Sequence, residues 1–102
     1  MEPKSDRIRY KDLEINIGKG SISNGSKEIN LTKNEMIIFS YLLNNREKIV
    51  TRDELMMDLW NNEEYINDNA LTVNISRLRN KLSDVGYDKA IETRKGQGYI
   101  LV

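Results

Sequence analysis

Cysteine and histidine are both missing from this chain of 102 residues, and proline occurs only once. Without cysteine there is no disulfide framework and no thiolate metal site, and without histidine the commonest metal ligand and proton shuttle is missing. No apolar run approaches membrane-spanning length, and the polar first residues do not form a secretory signal. These absences favour a cytoplasmic binding domain without cofactor, metal or membrane partner over a secreted scaffold or a hydrolase.

An excess of charge of one sign is missing as well, because 16 basic and 16 acidic side chains cancel. The charges are unevenly spread, since residues 69–102 carry a net charge of +3 and residues 1–68 carry −3. A basic surface on a neutral domain attracts polyanions locally, without nonspecific binding by the rest of the domain. With a mass of 11.9 kDa, the chain suits one compact domain, and a single copy is expected to bind weakly.

Short alternating segments in the first third predict a small antiparallel meander. The candidate strands are 8–10, 13–17, 21–23 and 27–31. Asn24-Gly25 lies between the last two and is the strongest signal for a two-residue hairpin. We therefore expect a type I′ turn there, with positive φ at both residues.

Two capping boxes then predict two helix starts. In Thr32–Glu35 and Thr51–Glu54, a hydroxyl and a carboxylate can each satisfy a free backbone amide of the first turn. The first helix is expected to end near Leu43, and apolar side chains surround most of it, so that it must be covered on more than one side. The second is expected to end near Trp60, before a polar, acidic loop over residues 61–67.

Residues 69–82 carry the clearest pattern of the chain. Read as a helix capped by Asp68, they align one apolar stripe, which is Leu71, Ile75, Leu78 and Leu82. The opposite face holds Asn69, Val73, Ser76, Arg77 and Asn80, and the flanks hold Thr72 and Arg79 on one side and Ala70, Asn74 and Lys81 on the other. These fourteen residues contain no carboxylate. Such a helix can dock its back into a core and its front into a DNA major groove.

The last twelve residues predict a β-hairpin with a basic tip. Two β-prone arms flank Lys95-Gly96-Gln97-Gly98, and Ile49-Val50 could form a further short strand. Strands, three helices and a terminal hairpin together describe a winged helix-turn-helix.

Several short motifs and single residues of the chain carry a family resemblance. They are Leu31-Thr32 with Glu35, Val50–Arg52, Leu55, Trp60, Val73–Arg79 and Thr93–Tyr99. In this order and spacing, over residues 8–102, the chain resembles the OmpR/PhoB-type effector domain of two-component response regulators. Within that family it looks most like the BceR/GraR-type subgroup, which controls antimicrobial-peptide defence genes.

The resemblance implies the fold, the domain organisation and the partners. The expected fold is α+β, with an N-terminal four-stranded antiparallel sheet, a three-helix bundle and a C-terminal hairpin, the wing. Residues 1–7 are interpreted as a linker remnant and 8–102 as the winged-helix domain. Relatives carry an N-terminal receiver domain that a histidine kinase phosphorylates, so we expect this chain to be a fragment of such a protein.

Two residues of the third helix are the candidates for base contact. An exposed guanidinium at Arg77 can donate two hydrogen bonds to a guanine, worth roughly 1–3 kcal/mol of discrimination. Val73 is an apolar side chain on a polar face, which contact with a thymine methyl group explains. The alternatives are a solvated arginine and an isolated surface valine.

The remaining candidates contact the DNA backbone, the minor groove or RNA polymerase. Phosphate contacts are predicted for Asn69, Thr72, Asn74, Ser76, Arg79, Thr93 and the indole N–H of Trp60, the last also being a core candidate. Lys95 resembles the wing residue that enters an A·T-rich minor groove, with Arg94 beside it, the alternative being a mobile charged turn. For Glu63, Glu64 and Tyr65 we favour a solvated acidic loop and keep RNA polymerase contact as the alternative.

The sequence therefore predicts sequence-specific binding of double-stranded promoter DNA, and the resemblance implies that pairs of domains bind tandem half-sites. The alternative is a winged-helix module that binds a protein through Val73 and its neighbours. An enzyme is not expected, because Ser21 and Ser23 have no evident base.

Overall fold

The computed structural model describes residues 7–102. Four strands form an antiparallel sheet in the order β1-β2-β3-β4, namely β1 Arg7–Tyr10, β2 Leu13–Asn16, β3 Ser21–Ser23 and β4 Glu28–Asn30. Three helices and a hairpin follow, namely α1 Lys33–Asn44, α2 Arg52–Asn61, α3 Asp68–Asp84, β5 Ile91–Arg94 and β6 Gly98–Leu101. The predicted α+β winged helix-turn-helix is confirmed.

Strand β1 begins at Arg7, one residue before the domain boundary expected from the sequence. The other residues of the expected linker, 1–6, lie outside the described part of the chain. None of the helices in residues 7–102 combines the length and the apolar character that a membrane crossing requires.

The inner face of the sheet contributes directly to the core. Ile15 pairs with Ile22 across β2 and β3, and both are buried, as are Tyr10 and Leu13. The Tyr10 ring meets Phe39 of α1 edge to face, with 6.2 Å between ring centroids. The sheet thus covers one side of α1.

The predicted two-residue type I′ turn at Asn24-Gly25 is wrong. Ser23 pairs with Glu28, so four residues, 24–27, connect β3 and β4. Of the two expected positive φ angles, only Gly25 has one, at 94°. The side chain of Asn24 explains the longer turn, because its Oδ1 accepts the backbone N–H groups of Ser26 at 2.9 Å and Lys27 at 2.8 Å.

Both predicted capping boxes are present, at Thr32–Glu35 and Thr51–Glu54. The prediction that α1 is covered on several sides is also confirmed, since Met36, Ile38, Phe39 and Leu42 are buried. The predicted N-cap of α3 is wrong by one residue. Asn67 caps this helix, accepting the N–H of Ala70 at 2.8 Å, and Asp68 is its first residue. The Asp68 carboxylate instead binds Arg52.

The predicted stripe of α3, Leu71, Ile75, Leu78 and Leu82, is buried against α1 and the rest of the core. The predicted strand at Ile49-Val50 is reduced to a single antiparallel bridge, in which Val50 and Tyr99 exchange two backbone hydrogen bonds of 2.8 Å. Gly98 permits this close approach, because a Cβ atom there would collide with the backbone carbonyl of Val50. The bridge fastens β6 to the segment that precedes α2.

Candidate nucleic-acid interface

The exposed face of α3 forms a row of unengaged side chains, which we call the α3 outer row. It consists of Asn69, Val73, Ser76, Arg77 and Asn80, all exposed as predicted. Within residues 7–102 none of the four polar members makes a hydrogen bond or an ion pair through its side chain. Val73 keeps 45% of its surface exposed although it is apolar. The row offers donors, acceptors, one cation and one apolar contact to a partner.

The burial of the opposite face keeps this row in place. The apolar stripe of α3 is at most 1% exposed, so the helix cannot roll without exposing leucine side chains. Burying one such side chain is worth about 1.5–3 kcal/mol. The direction in which Arg77 leaves the domain is therefore fixed by the core.

The polar flank of α3 is engaged inside the protein. The Thr72 hydroxyl accepts a hydrogen bond of 2.8 Å from Arg52. The Arg79 guanidinium donates to the carbonyl of Ile91 at 3.2 Å and to the hydroxyl of Thr93 at 2.5 Å. Arg79 thus joins α3 to β5. The sequence predicted only a phosphate contact for Arg79 and not this structural role.

Asn74 lies on the core side of α3, with 8% of its surface exposed. Its amide donates to the carbonyl of Ala70 at 2.8 Å, one turn earlier in the same helix. This is a correction to the sequence analysis, which placed Asn74 among the phosphate contacts. A short polar side chain inside a helix can donate to the carbonyl four residues earlier, in addition to the helical hydrogen bond, instead of pointing outward.

The wing presents its cations at the hairpin tip. Lys95 is exposed in the turn between β5 and β6 and has no ion pair within residues 7–102. Arg94 forms a long, exposed ion pair of 3.5 Å with Glu92, which contributes little in water. The Thr93 hydroxyl is exposed and already accepts a bond from Arg79. A cleft separates this wing from the start of α2, lined by Thr51–Asp53 and Thr93–Tyr99.

The loop after α2 is anchored by its own contacts. The indole N–H of Trp60, whose side chain is 49% exposed, donates to the carbonyl of Ile66 at 3.2 Å. Glu64 forms an ion pair of 3.2 Å with Lys33 at the start of α1. Tyr65 is 75% exposed, and Glu63 is exposed with a φ of 65°. The loop therefore displays Glu63 and Tyr65, while Glu64 and the Trp60 N–H serve internal contacts.

Sequence reasoning missed Arg52 and the buried pair of Lys81 and Glu35. Arg52 binds Asp68, Thr72 and Tyr99, and the Lys81 ammonium lies 2.7 Å from the Glu35 carboxylate. In the sequence, Arg52 was marked only by its place in the matched segment Val50–Arg52. The helical periodicity of α2 does not indicate the contacts of this side chain. Within residues 7–102 no group of acidic side chains is arranged to hold a metal ion.

Comparisons with known proteins identify the family. The profile of the family described as "Transcriptional regulatory protein, C terminal" matches residues 26–101. The response regulator protein GraR of Staphylococcus epidermidis is 47% identical over 93 residues, which are 91% of this chain and 42% of GraR. The chain thus spans less than half the length of this curated relative.

Solved structures agree with the sequence match. The C-terminal domain of the nisin resistance regulator NsrR superposes with a TM-score of 0.83 at 33% identity, covering 91% of this chain and 94% of that one. The DNA-binding domain of the response regulator AdeR, solved in complex with an intercistronic region, gives a TM-score of 0.74 at 28% identity, covering 92% and 97%. The resemblance found in the sequence is confirmed, and this chain belongs to the OmpR/PhoB-type transcriptional regulatory protein C-terminal family.

Proposed function

We propose that this chain is the DNA-binding output domain of a two-component response regulator that controls transcription. The observation that carries the proposal is the α3 outer row, in which five neighbouring side chains are exposed on a helix whose other face is buried. A helix of this kind fits the major groove, which presents donors, acceptors and methyl groups to match. The AdeR relative, solved with DNA, supports the same use of this fold.

Within this proposal, sequence is read by two residues of the outer row. Arg77 donates two hydrogen bonds to O6 and N7 of a guanine, and Val73 contacts the methyl group of a thymine. Neither side chain has a polar partner within the described chain that must be given up before DNA binds. Lys95 enters the adjacent minor groove, with Arg94 beside it on the wing.

Contacts with the DNA backbone set the register of the domain on the duplex. Asn69 and Ser76 are exposed and unengaged, which suits them to phosphate binding. Thr93 accepts a bond from Arg79, so its hydroxyl hydrogen remains free for a phosphate oxygen. Thr72 accepts a bond from Arg52 and donates a long one of 3.5 Å to the carbonyl of Asp68, which a phosphate oxygen would have to replace. Trp60 stays as a weaker candidate, because its single donor already serves the carbonyl of Ile66. Arg79 uses Nε and Nη2 for Ile91 and Thr93, which leaves the donors of its Nη1 for a phosphate.

The full-length protein is inferred from the GraR relatives. We infer an N-terminal receiver domain that is phosphorylated by a histidine kinase. The phosphorylated receiver domains would pair two output domains on tandem half-sites of promoter DNA in the cytoplasm. The regulated genes are proposed to confer resistance to antimicrobial peptides, and no enzymatic activity is assigned to this domain. NsrR, a nisin resistance regulator, supports the resistance role.

RNA polymerase is proposed as a second partner, through the loop of Glu63, Glu64 and Tyr65. Tyr65 is 75% exposed, and aromatic side chains are enriched in protein interfaces, which favours a protein contact here. The alternative is a module that serves only to bind another protein. In that case Val73 and its neighbours would contact the protein partner, and DNA would bind without sequence preference.

Selection from random duplexes, followed by binding titrations, tests the proposal. The selected duplex should bind at least about 10³-fold tighter than a scrambled one of equal length, as specific sites generally do. The logarithm of the association constant should fall linearly with that of the salt concentration, with a slope near −0.9 per neutralised phosphate. Failure of selection to enrich any sequence would contradict the proposal and favour the protein-interaction module.

A further inference from the structure

One tyrosine of the wing contacts two arginines from different helices. The Tyr99 ring on β6 is buried, and the guanidinium carbons of Arg52 and Arg79 lie 5.9 Å and 5.7 Å from its centroid. The Arg79 distance suits cation–π attraction. Arg52 also donates a hydrogen bond of 2.6 Å to the Tyr99 hydroxyl. We call Arg52, Arg79 and Tyr99 the arginine–tyrosine clamp.

Arg52 joins three elements through its planar fork. From the start of α2, its Nε and Nη2 atoms donate to the Oδ1 atom and the backbone carbonyl of Asp68, at 3.1 and 2.8 Å. Nη2 also donates to Thr72, and Nη1 to Tyr99. A guanidinium can satisfy acceptors in several directions of one plane, whereas a lysine ammonium cannot. Arg52 thereby fixes the first turn of α3 relative to β6.

Arg79 completes the connection from the middle of α3. Its bonds to the Ile91 carbonyl and the Thr93 hydroxyl hold β5, the other strand of the wing. Arg79 lies two residues after Arg77, so the helix segment that points Arg77 outward is the segment to which the wing is tied. Strand β5 is thus hydrogen-bonded to α3 directly, and β6 is joined to α3 through Arg52 of α2.

We propose that Arg52, Arg79 and Tyr99 are positioning residues for DNA binding, which hold the wing at a fixed distance from α3. This proposal rests on the proposed function. Two contact elements on one rigid body gain affinity from each other because the second contact is intramolecular once the first is made. That gain is lost if the elements cannot reach their grooves together. The clamp therefore lets Lys95 reach the minor groove while Arg77 occupies the major groove.

Coupling between Arg52 and Lys95 in DNA binding tests this role. The selected duplex is titrated with four proteins: the unaltered domain, Lys95→Ala, Arg52→Met and the double variant. Lys95→Ala should weaken binding by roughly tenfold in the unaltered domain, as for the loss of one charged contact, but by less than about twofold beside Arg52→Met. If Arg52→Met only lowered the stability of the domain, Lys95→Ala would still show its full effect when binding is measured on folded protein.

Two further variants control the experiment. Arg46→Met removes another arginine that stacks on a tyrosine, Tyr10, but within residues 7–102 its side chain makes no hydrogen bond or ion pair with α3 or the wing. The effect of Lys95→Ala should therefore remain tenfold. Tyr99→Phe keeps the ring and removes only the acceptor for Arg52. It should reduce the effect of Lys95→Ala partially, and it replaces Arg52→Met if that variant does not fold by circular dichroism. Arg52→Lys should restore part of the coupling.

The outcomes separate this proposal from the proposed function. An equal loss from Lys95→Ala in the unaltered and the Arg52→Met proteins would overturn the positioning role while specific DNA binding stands. No effect of Lys95→Ala in the unaltered domain would overturn it too, since the wing would then reach no groove. If the unaltered domain bound selected and scrambled duplexes equally, the proposed function itself would fail.

Discussion

Lys81 of α3 and Glu35 of α1 form an ion pair of 2.7 Å, and the Glu35 side chain is fully buried. Lys81 also donates to the Asn30 carbonyl at 3.0 Å, and Glu35 accepts the backbone N–H of Thr32 at 2.8 Å. The pair therefore fastens the DNA-facing helix to the capping box of α1 and to the end of the sheet. Although Lys81 lies on the flank of α3, its contacts stabilise the fold.

Replacement of Lys81 should destabilise the domain strongly. Lys81→Met leaves the Glu35 carboxylate buried without a counter-charge, so the free energy of unfolding should fall by about 3 kcal/mol, the low end for a broken buried pair because Lys81 is 29% exposed. Urea unfolding measures this. The matched control Lys89→Met removes an exposed lysine and should change little. Equal stability of the two variants would show that Glu35 gains no support from Lys81.

Truncation of the apolar stripe should unfold the domain more readily than truncation of the outer row. Leu78 is fully buried, so Leu78→Ala should cost about 2–5 kcal/mol, whereas Ser76→Ala on the exposed face should cost less than about 0.5 kcal/mol. Thermal unfolding of both variants checks the assignment of faces. A large loss from Ser76→Ala with a small loss from Leu78→Ala would mean that the helix is rotated.

Acid should remove a contribution from the capping box of α2. The backbone N–H of Thr51 and then the hydroxyl of Tyr41 hold the pKa of Glu54 below its ordinary value. The resulting stability is present above the pKa of an ordinary glutamate and is lost as pH falls through the lowered folded pKa. The unfolding free energies of the unaltered domain and Glu54→Gln should therefore differ most near neutral pH and converge in acid. Asp88→Asn, at an exposed position, is the control, and a difference independent of pH would contradict the prediction.

The sequence predicted the fold well because its signals were local. Two capping boxes, the stripe from Leu71 to Leu82 and the glycine-bearing wing each occupy a short stretch of chain, and the structure confirms them. The partners of Arg52 lie 16, 20 and 47 residues away, and those of Lys81 lie 46 and 51 away. Local periodicity in the sequence does not indicate such contacts, because they depend on how the helices and the wing pack together. Asn74 was misplaced for a related reason, because the flank of a helical wheel does not show where the core ends.

The proposed contact of Val73 with a thymine methyl group can be tested on DNA that lacks this methyl group. Replacing the contacted thymine by uracil removes one methyl group and should weaken binding to the unaltered domain by roughly fourfold, the worth of one buried methyl. The same replacement should have little effect on Val73→Ala, whose side chain is too short to reach. Binding titrations with paired duplexes provide the measurement. If uracil weakened both proteins equally, Val73 would not be the contact.

Arg77→Ala tests the central claim most directly, in titrations against the selected and the scrambled duplex. Its matched control is Arg9→Ala, which removes an exposed arginine from strand β1. Loss of the guanine contact should cost roughly 1–3 kcal/mol on the selected duplex and little on the scrambled one, so that discrimination falls, while Arg9→Ala keeps it. An equal loss on both duplexes would mean that Arg77 binds phosphate, and it would contradict the assignment of α3 as the element that reads sequence.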